Sequence, residues 1–444
     1  MSNFELALWS FPVLLILIFI RIPIALAMLA VGFGGSYLVL GSPLMMMNQL
    51  KTLTYGTFSN YSYSIIPLFL LMGQFATLSG MSASLFRAAE SFLGHRRGGV
   101  AMSAIGACAG FGAICGSSLA TAATMGQVAL PELRRYGYPG SLSTGALAAG
   151  GTLGILIPPS VILVIYAILA EQNIEKLFVA ALIPGILAAA GYMLAISIWV
   201  RVSPNAATVR PRVPWSERMV ALGKVWPVLT IFLVVVGGIY LGVFTPTEAA
   251  AVGAAGTGLI SLASGQMSWD KLKQAILSTA SSTAMIFLII LGAGLYNSFL
   301  ALTQLPQLAS AWVAEQGLNP WLVLTAVLIM YLVFGCIMDS LSMVLLTVPI
   351  IYPIMVVLDF GMSPNDFGLW FGILVLIVVE VGLITPPVGM NLFIINSMAR
   401  DIPIGQTYRG AMPFVLTDMI RVVILTAFPA ITLSLVWLID YLVP

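Results

Sequence analysis

The chain has 444 residues, of which 60% are hydrophobic and only 8% are charged, and its formal net charge is +2. Its mean hydropathy is +1.05. A water-soluble globule needs more polar surface than this composition supplies, and apolar runs of about 20 residues recur, as in proteins that cross a membrane many times. The basic residues form no stripe interleaved with aromatic residues, so we predict no nucleic-acid partner. The sequence indicates an all-α polytopic membrane protein with about 10–12 transmembrane helices.

Two spans are predicted at the start of the chain, over 6–20 and 22–40, followed by a polar loop to Tyr63 and a span over 65–78. The segment 81–99 has a different character, because charged residues are spaced among large apolar ones. That pattern is typical of a helix lying along the membrane interface.

The next segment, 100–135, is apolar but rich in glycine, serine and threonine, and pairs of arginines lie before it and at its end. Because basic loops favour the cytoplasm, both of its ends are predicted to face the same side. It is then a re-entrant hairpin with its tip near Ser117 and Ser118, in the middle of the membrane. Small residues allow the two arms of such a hairpin to pack closely.

A helix predicted over 138–170 follows the hairpin and is interrupted at Pro158 and Pro159. Proline has no backbone N–H to donate and pushes the preceding residue out of the α region, so nearby carbonyls lose their helical partners. In a membrane such backbone is tolerated only where it is packed in protein or lines a cavity. The break is therefore a candidate ion or substrate site, although a Pro-Pro pair that merely kinks a packed helix stays open as the alternative.

The second half repeats this arrangement after the basic loop 201–224. The segment 320–358 has hairpin length, but acidic residues flank it and no Lys or Arg does, so its ends are predicted to face outward. The helix over 367–398 is then broken at Pro386 and Pro387. Two hairpins that enter from opposite faces, each followed by a broken helix, are typical of an inverted-topology transporter with its site at the midplane.

Five motifs in this order resemble one family over nearly the whole chain, namely the large membrane subunit of TRAP (tripartite ATP-independent periplasmic) transporters, the DctM/SiaM-like family. The motifs are GSSLATAATMG at 116–126, GTLGILIPPS at 151–160, FTPTEAAA at 244–251, MDS at 338–340 and ITPPVGMNL at 384–392.

The resemblance implies a sodium-driven elevator transporter in the bacterial inner membrane, with two or more sodium ions as coupling ions. It implies two partners, a small TRAP membrane subunit and a periplasmic solute-binding protein. The implied substrates are carboxylates such as C4-dicarboxylates, sialic acids and other organic acids. Sodium takes oxygen ligands, and neutral carbonyls and hydroxyls hold it loosely enough for release. The predicted sodium ligands are Ser117, Ser118, Gly154, Ile157, Pro159, Gly335, Asp339, Ser340, Gly382, Thr385 and Val388.

The resemblance also suggests a division into scaffold and transport parts. The predicted domains are N-terminal scaffold helices with an interfacial arm helix (1–99), a first transport half (100–175), scaffold helices around the cytoplasmic loop (176–300), a second transport half (301–400) and a C-terminal scaffold helix (401–444).

Polar side chains near the hairpins are predicted to bind the substrate carboxylate, with help from the helix N-termini at the tips. These side chains are Thr121, Thr124, Thr347 and Asn391. They could equally satisfy helix backbone. Glu380 lies inside the apolar run 374–383, and it is either a neutral acid packed between helices or a residue with an electrostatic role near the second sodium site.

Two other classes of function were weighed against this one. A stand-alone sodium and carboxylate symporter of similar inverted-repeat architecture stays open. A membrane enzyme that uses Asp339 and Glu380 as a carboxylate pair ranks last, because no hydrolase signature, histidine cluster or nucleotide-binding loop accompanies the two acids. We therefore predict that the chain is not an enzyme and has no catalytic residues.

Overall fold

A computed structural model describes residues 2–203 and 208–442, so residues 204–207 of the predicted loop 201–224 lie outside the described residues. Within these two ranges the chain is helical and contains no strand. The helices are α1 (Asn3–Phe19), α2 (Ile24–Leu40), α3 (Pro43–Ser59), α4 (Ile65–Leu78), α5 (Met81–Leu93), α6 (Gly99–Cys115), α7 (Ser118–Arg135), α8 (Gly140–Leu156), α9 (Val161–Leu169), α10 (Ile174–Val202), α11 (Trp215–Gly223), α12 (Trp226–Phe232), α13 (Gly238–Tyr240), α14 (Pro246–Ala263), α15 (Trp269–Leu302), α16 (Leu305–Glu315), α17 (Pro320–Gly335), α18 (Ser340–Val356), α19 (Pro364–Gly382), α20 (Met390–Met398), α21 (Ile404–Ala427) and α22 (Pro429–Leu442).

Many of these helices are apolar enough to cross a membrane. By length and composition, five qualify alone, and two helix pairs bent by 47° and 48° qualify as broken spans. Shorter apolar helices accompany them, and α1, α2 and α22 among these lie outside the two hairpins. The predicted all-α polytopic class is confirmed.

The predicted polar loop before Tyr63 is wrong, because the helix α3 occupies 17 residues of it. Ser42 precedes the helix in an extended conformation and Pro43 is its first residue, a position where the missing N–H of proline costs nothing. Most of the side chains of α3 are exposed, and its buried residues are only Met46 and Thr57. The sequence pattern failed here because an exposed helix carries little hydrophobic periodicity.

Each predicted hairpin is present, with both ends on one side. In hairpin 1 (α6 and α7), the N–H of Val100 at the start donates to the hydroxyl of Tyr138 beyond the end, at 3.3 Å. In hairpin 2 (α17 and α18), the rings of Trp321 at the start and Phe360 beyond the end have centroids 5.4 Å apart. Neither segment crosses the molecule, so the re-entrant interpretation is confirmed.

The two hairpins open to opposite faces of the molecule. The broken helix α8–α9 begins at Gly140, beside the ends of hairpin 1. It finishes near Gln172, whose amide nitrogen lies 3.0 Å from the hydroxyl of Tyr352, at the end of hairpin 2. One helix path therefore runs from the open end of one hairpin to the open end of the other. This is the inverted arrangement that the sequence predicted.

The arm helix α5 packs beside hairpin 1 and holds the basic loop there. The carboxylate of Glu90 is 6% exposed and lies 2.8 Å from the guanidinium of Arg210. Burial raises the pKa of the Glu90 carboxyl, while the charge of Arg210 acts in the opposite direction. The backbone N–H of Arg210 also donates to the carbonyl of Gly94, so the loop after residue 208 lies on the face where hairpin 1 opens.

Candidate functional site

The first break in a helix is fully enclosed. Residues 157–160 separate α8 from α9, the two helices meet at 47°, and Pro158, Pro159 and Ser160 are all buried. The hydroxyl of Ser160 caps α9 by accepting the N–H of Leu163 at 3.4 Å. The chain therefore bends inside the protein, as broken backbone at membrane depth must.

The tip of hairpin 1 lies in backbone contact with this break. A Cβ added to Gly112 would lie 2.7 Å from the Cα of Gly154. A Cβ on Gly154 would lie 2.4 Å from the hydroxyl oxygen of Thr121 and 2.7 Å from the carbonyl oxygen of Ser117. Only glycine fits at such a distance. The structure therefore brings together Ser117 and Gly154, which were predicted to share a sodium site, and adds Thr121, which was predicted to bind the substrate.

Two buried side-chain oxygens near this tip have no hydrogen-bond partner among the described residues: Oγ1 of Thr121 and Oδ1 of Asn391. Both side chains are 0% exposed. Asn391 comes from α20 in the second half, and its amide nitrogen donates to the carbonyl of Ala148 in α8 at 3.2 Å. A Cβ added to Gly151 would lie 3.1 Å from this amide nitrogen and 3.1 Å from the carbonyl oxygen of Ser118. A side chain of the second half thus reaches the tip of hairpin 1 in the first.

The tip of hairpin 2 meets the second break in the same way. A Cβ on Gly382 would lie 2.4 Å from the carbonyl carbon of Gly335, so α17 and α19 touch through their backbones. The N–H of Gly389, a residue with φ of +64°, donates to the carbonyl of Cys336 at 3.3 Å. Gly335 and Gly382, predicted to lie together, do so.

The second break differs from the first in its exposure. Pro386 and Pro387 are exposed, whereas both prolines of the first break are buried. The hydroxyl of Tyr408 in α21 lies 2.7 Å from the carbonyl oxygen of Pro387 and 2.8 Å from that of Val388, so these two carbonyls share its one proton. The hydroxyl of Thr385 donates to the carbonyl of Val381 at 2.6 Å and keeps its lone pairs. Sodium binding by Thr385 and Val388 stays a prediction.

Other predicted site residues serve their own helices. Asp339 caps α18, since its carboxylate accepts the N–H and the hydroxyl of Ser342 at 3.0 and 2.5 Å. The hydroxyl of Thr347 lies 2.8 Å from that of Tyr331 and 2.7 Å from the carbonyl of Met343, inside hairpin 2. Thr124 is buried on α7, one turn beyond Thr121. The four predicted substrate residues are thus divided between the two halves.

Glu380 joins the two tips, which the sequence did not predict. Its carboxylate accepts the hydroxyl of Ser118 from hairpin 1 and, at 2.7 Å, the hydroxyl of Ser340 from hairpin 2. The side chain is 1% exposed. The sequence did mark this acid as unusual, because ionisable residues in apolar runs are costly and are retained for a reason. It held no information about which partners the acid would meet.

A second buried polar cluster was missed altogether. Asp418 and Arg421 of α21 form an ion pair at 2.8 Å and are 1% and 5% exposed. The hydroxyl of Tyr192 in α10 donates to Asp418 at 2.6 Å, and Thr152 of α8 lies 3.0 Å from the same hydroxyl. The signal was present as an acid and a base three residues apart in an apolar helix. This cluster ties α21 to α8, and the predicted scaffold role of 401–444 stays a prediction.

These features define a class. Two hairpins open to opposite faces, each tip touches a broken helix, and the contacts lie in the interior of an apolar helical protein. That arrangement is the architecture of inverted-repeat secondary transporters, in which broken helices form the site near the midplane.

Comparison with known families agrees with this class. The family described as "Tripartite ATP-independent periplasmic transporter, DctM component" matches residues 11–431. The chain belongs to this family of TRAP transporter large permease proteins, which are transporters and not enzymes.

Its relatives cover almost the full length. A C4-dicarboxylate TRAP transporter large permease protein of Pseudomonas aeruginosa is 37% identical over 407 residues, covering 91% of this chain and 93% of the relative. A sialic acid TRAP transporter large permease protein of Vibrio cholerae is 30% identical over 385 residues, covering 86% and 87%. Among solved structures, the YdaH transporter of Alcanivorax borkumensis has a TM-score of 0.63 at 14% identity and covers 88% of this chain and 90% of its own. This last likeness concerns the fold alone.

Proposed function

We propose that this chain is the permease subunit of a sodium-coupled importer in the bacterial inner membrane. A periplasmic binding protein delivers a carboxylate, and a small membrane subunit assists the permease. The substrate class follows from the relatives, which are named for a C4-dicarboxylate and for sialic acid. Sodium coupling is supported by the chemistry at the first break.

The observation that carries sodium coupling is the pair of unpartnered oxygens on Thr121 and Asn391. A buried polar atom without a partner costs about 1–3 kcal/mol, which an ion bound by these oxygens would offset, although the Thr121 hydroxyl also lies within reach of the Cys115 thiol. The carbonyl oxygen of Ser117 lies near the Thr121 hydroxyl, and that of Ser118 lies near the amide nitrogen of Asn391. A set of neutral oxygens suits a hard monovalent cation and suits neither zinc nor copper, which prefer nitrogen and sulfur. The residues present therefore fit sodium.

Ion binding here would link the two halves of the chain. Thr121 belongs to hairpin 1 and Asn391 to α20, so an ion held by both joins hairpin 1 to the second broken helix. The halves are already tied by the bond from Asn391 to Ala148 and by Glu380. We infer that α6–α9 and α17–α20, together with α10 and α21, which the Asp418 cluster ties to α8, move as one body against the other helices. This is the elevator mechanism.

Uptake into proteoliposomes tests the proposal. The permease would be reconstituted with and without its small subunit and binding protein, and labelled succinate, pyruvate and sialic acid would serve as probes. We expect uptake of at least one probe only with all three proteins and an inward sodium gradient. Uptake at full rate by the permease alone would support the stand-alone symporter instead. Uptake that ignores the sodium gradient would contradict the coupling.

A further inference from the structure

Glu380 occupies the same position relative to both hairpins. The serines that donate to its two carboxylate oxygens, Ser118 and Ser340, are the first residues of α7 and α18. Each serine therefore begins the second arm of its hairpin. All three side chains are at most 4% exposed. A single acid thus contacts equivalent residues of two inverted repeats.

The direction of a serine proton decides what its oxygen can bind. A hydroxyl has one proton and two lone pairs, and the lone pairs can face a cation only when the proton points elsewhere. By accepting both protons, Glu380 leaves the lone pairs of Ser118 and Ser340 free on their other sides. In metal sites, outer partners that orient ligands in this way typically change affinity by about 10–100-fold.

Nothing else near Glu380 can perform this role. Among residues 2–203 and 208–442, no Lys, Arg or His nitrogen lies within 4.0 Å of its carboxylate. Asp339 directs its oxygens to Ser342, and the buried Asp418–Arg421 pair of α21 forms its hydrogen bonds with Tyr192 and Pro184 and none with Glu380. The N-termini of α7 and α18 place partial positive charges beside the acid.

An independent observation places a ligand beside this acid. The unpartnered Oδ1 of Asn391 belongs to a buried side chain whose amide nitrogen lies next to the carbonyl of Ser118. The residue that Glu380 orients in hairpin 1 and the side chain that carries the unpartnered oxygen therefore both border the space at Gly151.

We propose that Glu380 is a positioning residue for two cation half-sites, one at each hairpin tip. It fixes the hydroxyl protons of Ser118 and Ser340 so that both oxygens can face sodium, and its shared carboxylate links occupation of one half-site to the other. This proposal rests on the sodium coupling proposed above. It assigns to Glu380 no direct contact with sodium or with the substrate.

The test is a sodium titration of the thermal stability of the purified full-length chain, with choline chloride keeping the ionic strength constant. A bound ion raises Tm in proportion to the logarithm of its concentration over Kd. The Glu380→Gln variant keeps the shape of the side chain. Its amide NH2 donates a hydrogen bond, however, so one of the two serine hydroxyls has to accept instead of donate. We expect the half-saturating sodium concentration to rise at least tenfold, which is about 1.4 kcal/mol. The exposed acid Glu217, changed to Gln, is the matched control and should titrate as the wild type does.

Two further variants complete the test. Glu380→Asp keeps the charge but is too short to reach both serines, so it should also bind sodium less tightly, and it carries the test if the Gln variant does not fold. Adding Ser340→Ala to Glu380→Gln should weaken binding by less than the two separate effects combined.

The outcomes separate the two proposals. A wild type whose Tm ignores sodium would contradict the sodium coupling itself, and this inference with it. Suppose instead that sodium stabilises the wild type. The role of Glu380 alone would then be overturned if the Glu380 variants bound sodium as tightly as the wild type, or if the effects of Glu380→Gln and Ser340→Ala on sodium binding were fully additive.

Discussion

Replacing Gly154 with alanine probes the contact between hairpin 1 and the first break. The new methyl would lie 2.4 Å from the hydroxyl oxygen of Thr121 and 2.7 Å from the carbonyl oxygen of Ser117, whereas ordinary contacts begin near 3.4 Å. The carbonyl belongs to backbone and cannot rotate away. The methyl therefore has to push the tip of hairpin 1 from the break.

The expected effect follows from the size of such overpacking, which costs about 1–3 kcal/mol. If the strain is relieved by separating Ser117 and Thr121 from the break, the sodium site loses that free energy, and its Kd rises by about 5- to 150-fold. Alanine in place of glycine stabilises the helix itself by up to about 1 kcal/mol. The free energy of unfolding should therefore fall by less than the free energy of sodium binding does.

The assay is the sodium dependence of Tm for the purified protein. Gly34→Ala in α2 is the matched control, because a Cβ there meets nothing within 4 Å. The control should bind sodium as the wild type does and be at least as stable. If Gly154→Ala showed the same sodium dependence as Gly34→Ala, the oxygens at this contact would not form a sodium site, and the reasoning would be refuted.

Two more substitutions test Thr385, a predicted sodium ligand, and the Asp418–Arg421 pair, which the structure revealed. Thr385→Val removes a hydroxyl whose lone pairs are free. If these lone pairs ligate sodium, the half-saturating sodium concentration for uptake should rise about 5- to 150-fold, for a loss of about 1–3 kcal/mol. An unchanged concentration in a well-expressed protein would leave only the carbonyl of Thr385 as a ligand. Asp418→Ala leaves Arg421 buried without its acid, which should destabilise the protein by about 3–5 kcal/mol in chemical denaturation, whereas Arg421→Met with Asp418→Leu should restore much of the loss. If Asp418→Ala were as stable as the wild type, the Asp418–Arg421 pair would be shown to be solvated.

The sequence predicted the architecture because the relevant signals are local. Flanking charges fix which side a segment faces, and proline breaks a helix whatever surrounds it. Both rules apply to hairpins and broken helices without knowledge of the fold. For the same reason the contact of Gly154 with hairpin 1 and that of Gly382 with hairpin 2 could be expected from pairs of small residues.

The partners of single side chains could not be predicted in this way. Asn391 was expected to bind the substrate, but it reaches across to α8, because α20 of one half packs against the other half. Tyr408 of α21 donates to the carbonyls of Pro387 and Val388, which share its one proton. Glu380 meets two serines whose sequence separations from it are 262 and 40 residues. Such contacts depend on how the repeats pack together, and no local pattern encodes that.

The inverted topology is the claim on which the rest depends, and labelling of single cysteines tests it most directly. Cysteines would replace Arg97 and Arg134 at the ends of hairpin 1, and Glu315 and Asp366 beyond the ends of hairpin 2, in a cysteine-free background in intact cells. A membrane-impermeant thiol reagent should label the second pair from outside and should reach the first pair only after the membrane is opened. Labelling of positions 97 and 134 from opposite sides would mean that hairpin 1 is a full span, and the inverted repeat would be contradicted.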